Sequence, residues 1–250
     1  MKPFPIAVRD DGFSPLYVIT PPCTPEKLCR KCVDHLAGIA RIREIGTGVG
    51  FAMNFKTRRG DLMGKDVTGW GVPEDILRAL CENPGSAEHV AAVCADYNRR
   101  YQPARRPGDF RAIANIHYLL QRGLSPFGVQ AQRAHELGMR VWARFELRQG
   151  RPACLAGHDE YLIPGRGDLD FRHEAVRALF LDIAQDMIAE GADGVSIDFC
   201  VYPPFFENPK RDGHFMTRLL SDMRARFSSM GRKIDIVARL PRHPERYGLL

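Results

Sequence analysis

No stretch of this 250-residue chain approaches the roughly 20 consecutive apolar residues that a membrane-spanning helix needs. The amino terminus, MKPFPIAVRDDGFSPLYVIT, also lacks the apolar core of a secretory signal. These absences predict a cytoplasmic protein with no membrane partner. The seven cysteines are odd in number and irregularly spaced, which argues against a disulfide framework and for free, mostly buried thiols. Lysine and arginine exceed aspartate and glutamate by six, yet the basic residues are scattered rather than gathered into a stripe, so no nucleic-acid partner is expected. There is no internal repeat and no low-complexity tract. The glycines of Ile45 to Phe51 (IGTGVGF) are not followed by an amphipathic helix, so they lack the context of a dinucleotide-binding turn.

What remains is a chain that is 44% hydrophobic and 26% charged, enough to bury one large core, and a single domain over residues 1–250 is the default. Its clearest stretch is Gly191 to Phe206, GADGVSIDFCVYPPFF. Val195, Ile197 and Phe199 alternate with Ser196 and Asp198, so a strand here has one apolar face and one ending in an acid, and two prolines then stop it. Before it, Val176, Leu179, Phe180, Ile183 and Met187 recur at helical spacing, and Gly191 stands where a glycine would close that helix. Met139 to Glu146 (MRVWARFE) repeats the design. Val141, Ala143 and Phe145 point one way, while Trp142, Arg144 and Glu146 point the other.

Taken in order, the chain predicts a strand at Pro15–Thr20, a helix begun by Thr24, Pro25 and Glu26, and a strand within Arg41–Gly46. An extended piece at Phe51–Phe55 and a long loop over Thr57–Val72 come next. Three helices then lie at Pro73–Cys81, Ser86–Tyr101 (capped by Ser86) and Asp109–Gln121 (capped by Asp109). A helix opened by Ser125 and Pro126 precedes the strand at Met139. After the second long loop, Leu147–Asp170, come the helix and strand of the GADG stretch, a helix over Asp212–Phe227, and a strand over Ile234–Leu240 with Asp235, Val237 and Arg239 on its inner face. Strands alternating with helices, with long loops only after strands, predict an α/β fold of the TIM (β/α)8-barrel type. About five βα units are recognisable where a closed barrel has eight. Either a C-terminal segment is missing, or an open barrel leaves two edges for another chain to cover, as in a homo-oligomer.

The inner strand ends would then carry Arg144, Glu146, Asp198 and Arg239. Asp198 and Glu146 form a carboxylate pair of the kind glycoside hydrolysis uses, one acid protonating the leaving oxygen while the other attacks or activates water. Arg144, Arg239, Trp142, Tyr202 and Asn54 are the candidate substrate contacts, and the expected partner is a carbohydrate. The alternative is a buried ion-pair network that only fills the barrel interior. No cofactor is expected. A radical iron–sulfur enzyme using Cys23, Cys29 and Cys32 is the rival cofactor reading, but their Cys-x5-Cys-x2-Cys spacing is unusual, and Cys29 and Cys32 fit a helix's apolar stripe. His158, Asp159 and Glu160 read as a solvated loop, and His89, His117 and His135 as surface or packing residues.

Four segments, Gln132–Glu146 (QRAHELGMRVWARFE), Leu169–Ile188 (LDFRHEAVRALFLDIAQDMI), GADGVSIDFCVYPPFF and the final IVARLPRHPERYGL, together resemble the family-10-like glycoside hydrolase domain. The resemblance covers roughly Leu119–Leu250 and implies a TIM barrel acting on a poly- or oligosaccharide. Asp198 matches the acid of that group's Asp-Phe pair, Tyr202 and Pro203 the aromatic and proline after it, and Arg239 the arginine of the following strand. The sequence departs from the pattern at Glu146, where relatives carry a smaller polar residue, and it has no export signal and no final strands. A non-catalytic carbohydrate-binding barrel is therefore the second functional expectation.

Overall fold

The computed structural model describes residues 5–65, 71–147, 151–200 and 205–244. Strand β1 is Ala7–Asp10, and its exit is set by the two aspartates that follow Arg9. The Asp11 carboxylate accepts from the backbone N–H groups of Phe13 (2.9 Å) and Ser14 (2.8 Å) and from the Ser14 hydroxyl (2.6 Å). This turns the chain directly into helix α1, Ser14–Val18, with a proline in its first turn. The expected strand at Pro15–Thr20 is thus a helix, and the true first strand lies earlier. Local capping and the pre-set φ of Pro15 outweigh the strand preference of Tyr17, Val18 and Ile19. Helix α2 (Pro25–Cys32), capped by Thr24, leads to strand β2, Ile42–Gly46.

A small sheet follows: β3 (Gly48–Val49), β4 (Ala52–Met53) and β5 (Asp61–Leu62), the last lying inside the expected long loop. Helices α3 (Glu74–Glu82), α4 (Ala87–Arg100), α5 (Pro107–Leu120) and α6 (Pro126–Glu136) come next. Helix α5 starts two residues before the expected Asp109, because Pro107 occupies its first turn; Asp109 instead accepts the backbone N–H of Arg106 at 3.1 Å. The α5 side chain of Asn115 is fully buried and donates to the carbonyls of Leu16 (3.0 Å) and Ile19 (2.8 Å), satisfying the end of α1. Strand β6 (Arg140–Glu146), helix α7 (Glu174–Ala189), strand β7 (Gly194–Asp198), the short α8 (Pro209–Asp212), helix α9 (His214–Ser228) and strand β8 (Asp235–Arg239) complete the described chain. At the end of α7, Gly191 has φ +117°, a conformation that favours glycine and returns the chain toward β7.

The large sheet has the order β1-β2-β6-β7-β8, and every pairing in it is parallel. Within this sheet each strand lies beside the next of its strands in chain order, the small sheet being inserted between β2 and β6. This is the singly wound order of a barrel, since a doubly wound sheet reverses direction at a switch point. The fold is therefore α/β and of the (β/α)8 type, with five parallel strands of that kind among the described residues. The outer flanks of β1 and β8 have no strand partner there.

The register sorts the side chains into two faces. Val141, Ala143, Phe145, Val195 and Ile197 are fully buried against the helices, with Phe145 packed on Phe180 of α7 at 5.0 Å between ring centroids. On the other face stand Glu44, Trp142, Arg144, Glu146, Ser196, Asp198 and Arg239, paired across the strands as Glu44 with Trp142, Arg144 with Ser196, and Glu146 with Asp198. Side chains on this face touch partners that are not on neighbouring strands. The Ser196 hydroxyl meets Glu44 at 2.8 Å across β6, and Arg9 reaches Asp198 at 3.7 Å across both β2 and β6. In a flat sheet β1 and β7 would lie about 14 Å apart, with side chains roughly perpendicular to the sheet. The contact therefore reports inward curvature, as in the wall of a barrel. No helix among the described residues is long and apolar enough to cross a membrane.

Candidate functional site

The site lies where β6, β7 and β8 end. Asp198 is the last residue of β7 and is 1% exposed. Its Oδ2 accepts from Arg144 Nε (3.2 Å), Arg144 Nη2 (3.0 Å) and Arg239 Nη1 (3.0 Å), and Oδ1 accepts the backbone N–H of Cys200 at 2.9 Å. Arg144 Nη2 also donates to Glu146 Oε1 at 2.6 Å, so one guanidinium joins the two carboxylates. Their nearest oxygens can be no further apart than these two bonds laid end to end, roughly 5.6 Å. The two acids therefore stand close enough to act on a single bond.

Glu146 has a different exposure. Its side chain is 18% exposed and lines a cleft of about 470 Å³ together with Asp11, Phe13, Ser14, Tyr17 and Val49. Burial works to raise the Asp11 pKa, but the donors from Ser14 and Phe13 and the nearby Arg144 charge outweigh it and hold the carboxyl below its usual range. Burial and the hydrogen bond to Asp109 push the Tyr17 phenol up.

The loops that carry these residues are tied by backbone contacts. Thr47 N–H (3.3 Å) and its hydroxyl (2.9 Å) both donate to the Arg144 carbonyl. Gly12 and Gly46 cross so closely that a Cβ on either would collide with the other turn's backbone. Asn54 donates from Nδ2 to the carbonyls of both, at 3.3 and 3.2 Å. Asn54 is fully buried, so it joins the exits of β1 and β2 rather than facing a ligand, contrary to its expected place among substrate contacts.

Trp142 is also displaced from its expected role. It stands in register with Gly194, the first residue of β7, and its indole N–H donates to Asp235 at 3.1 Å, at the opposite end of the sheet from the site. The alternation correctly gave Trp142 the inner face, but a strand has two ends as well as two faces. Arg144, Glu146, Asp198 and Arg239 are brought together; Tyr202 lies outside the described residues. The reading of sequence missed Arg9, Glu44, Ser196 and Thr47. Arg9 could have been found from the apolar Pro5-Ile6-Ala7-Val8 run that ends at the Asp10-Asp11-Gly12 turn.

Among the described residues no group of three histidine, cysteine, aspartate or glutamate side chains is placed to hold a metal ion. Burial pushes the thiols of Cys23 and Cys32 up to about 12 and that of Cys29 up to about 11. His158 pairs with Glu160 at 2.8 Å in an exposed loop, and His117 is buried against the Met63 carbonyl at 3.2 Å.

No family model matches the chain, and no curated protein matches it. Among solved structures, an α-galactosidase from Thermus thermophilus is 13% identical with a TM-score of 0.44, the match covering 93% of this chain and 40% of that one. A maltogenic α-amylase from Thermotoga neapolitana is 15% identical with a TM-score of 0.34, over 49% of this chain and 30% of that one. An α-amylase from Lactobacillus plantarum is 18% identical with a TM-score of 0.31, over 46% and 27%. The chain spans well under half the length of these structures. All three are glycoside hydrolases, and none supports the family-10-like group in particular.

Proposed function

We propose that the chain forms the carbohydrate site of a glycoside hydrolase-like barrel, with Glu146 and Asp198 as its carboxylate pair. The observation that carries this reading is the Arg144 bridge, which joins two acids from adjacent strand ends within reach of one glycosidic bond, as double displacement would use them. In that reaction Glu146, facing the cleft, gives its proton to the glycosidic oxygen as the bond to the anomeric carbon breaks, and the leaving sugar departs as an alcohol. Asp198 attacks the anomeric carbon to form a glycosyl ester. Water, losing a proton to Glu146, then displaces Asp198 and frees the sugar with its configuration retained.

A specific observation favours a second reading, a non-catalytic carbohydrate-binding barrel. Asp198 is 1% exposed and both its oxygens already accept hydrogen bonds, so a substrate must draw Arg239 or Arg144 away before either oxygen can attack. Reducing-end release from a panel of polysaccharides, with the anomer of the fresh product read by proton NMR, separates the readings. Hydrolysis predicts a retained anomer and at least a hundredfold loss of release in Asp198→Asn. Saturable glycan binding without release selects the binding barrel. An inverted product contradicts double displacement and points to one of the two acids activating water directly.

A further inference from the structure

The cleft that Glu146 lines has a neighbour. A second cleft, of about 480 Å³, is bounded by Tyr97, Ala104, Arg105 and Asp109, and both clefts have Tyr17 and Arg106 in their walls. They therefore adjoin across those two side chains, where α1 packs along α5. Either cleft alone sits toward the low end of the roughly 300–1,000 Å³ of small-molecule sites, and the two together approach the upper end. Tyr17, between them, is fixed by three contacts with α5. Its ring lies so close over Gly108 that a Cβ there would come within 2.4 Å of Tyr17 Cδ1, its phenol bonds to Asp109, and its carbonyl accepts from Arg111 Nε at 2.8 Å. The side chain is nevertheless only half-buried and faces both clefts. A ring held in place beforehand loses little freedom when a ligand packs on it. An aromatic face with polar neighbours also suits a ligand that alternates C–H patches with hydroxyls, as a sugar ring does. Such neighbours stand on both sides of Tyr17, with Asp11 and Ser14 in the first cleft and Arg105 and Asp109 in the second.

We propose that Tyr17 joins the two clefts into one binding track, so that the ligand is a linear oligosaccharide of several units, one of them stacked on Tyr17, and not a single sugar or a short glycoside. The proposal rests on the carbohydrate reading above and adds the length of the ligand to it. Glu146 lines only the first cleft, so the bond to be cleaved lies there and the units beyond Tyr17 occupy the second. Tyr17 is then a specificity-determining residue. It touches no reacting atom, and the units it holds supply binding energy that keeps the glycosidic bond at the carboxylates.

The test is calorimetric titration of the native protein with maltotetraose, cellotetraose and galactotetraose, each beside its own disaccharide. The expected result is that one tetrasaccharide binds about tenfold or more tighter than its disaccharide. Tyr17→Ala should weaken that tetrasaccharide about fivefold or more, while Tyr17→Phe, which keeps the ring, should stay within about threefold of native. Ala104→Trp is the second variant, because Ala104 is exposed, lines only the far cleft and can be enlarged without disturbing the core. Filling that cleft should bring the tetrasaccharide and disaccharide affinities of the variant within about twofold of each other, with a native circular dichroism spectrum. Equal affinity of the native protein for tetrasaccharide and disaccharide overturns the proposal and leaves the carbohydrate reading standing. A tetrasaccharide preference that survives in Ala104→Trp, or that is undiminished in Tyr17→Ala, also overturns it, since the ligand then does not run past Tyr17 into the second cleft. Failure to bind any tetrasaccharide removes the carbohydrate reading and the proposal with it.

Discussion

The two faces of the large sheet are built on opposite physical terms. The helix-facing side of β6 and β7 is Val141, Ala143, Phe145, Val195 and Ile197, all fully buried and held by close packing. The inner side of the same strands is Arg144, Glu146, Ser196 and Asp198, held by charged hydrogen bonds within β6, to its neighbour and, for Ser196, across it to Glu44. On the first face any residue of similar shape would serve. On the second, a lone substitution leaves a charge without its partner, and the whole set costs desolvation energy that a wholly apolar interior would avoid. A barrel that needed only stability would fill its interior with branched apolar side chains. The inner face of β6 and β7 is thus where this chain gives up stability for a particular arrangement of charge.

The largest effects should come from one truncation on each face. Phe145→Ala removes a ring packed on Phe180 and should cost about 3–5 kcal/mol in chemical denaturation. Arg144→Ala should cost a similar amount, about 3–5 kcal/mol, by removing a buried guanidinium from between two carboxylates. The faces part when the partners go too. Replacing Arg144, Glu146 and Asp198 together with Met, Leu and Leu should restore most of that loss or exceed native stability, whereas no second change of similar size should rescue Phe145→Ala. Failure of the triple variant to recover would mean that the inner face is held by its ion pairs as firmly as the outer one is by packing.

A smaller effect is expected at the turns beneath the site. Asn54→Ala leaves the Gly12 and Gly46 carbonyls without its donor and should cost about 1–3 kcal/mol, with no change in the position of β6. The smallest should be seen in acid. The Asp11 pKa is lowered on folding, so its contribution to stability is complete above its unfolded value of about 3.9 and is lost as the pH falls through the lower folded value. Asp11→Asn should flatten the stability profile below about pH 4 and leave it unchanged in slope near neutrality; an unaltered acid limb would remove Asp11 from that balance.

The outer face was legible in the sequence because burial imposes a period, two in a strand and about 3.6 in a helix. The same alternation in MRVWARFE assigned Arg144 and Glu146 to the inner face, and the parallel register then set Glu146 beside Asp198. The sequence did not reveal which residues meet across a curved sheet. Arg9 lies 189 positions from Asp198 in the chain, and its strand is only four residues long. Trp142 and Asn54 were misplaced for a related reason. Periodicity gives a side chain's face but not its height along the strand, and it says nothing of a polar side chain inside a loop whose partners are backbone carbonyls. The helix at Ser14–Val18 was hidden by strand-forming residues and revealed only by the Asp11 cap.

The central claim is that the inner face is a ligand site and not merely the filling of a barrel wall. Its most direct test is Glu146→Gln, which keeps the size of the side chain and an oxygen for Arg144 while removing the acid. Reducing-sugar release from a panel of polysaccharides and melting temperature should be measured on the same preparations of native and variant protein. The account predicts release at least a hundredfold lower with the melting temperature within a few degrees of native, of the order expected when a general acid is removed. Undiminished release from the glutamine variant would contradict it.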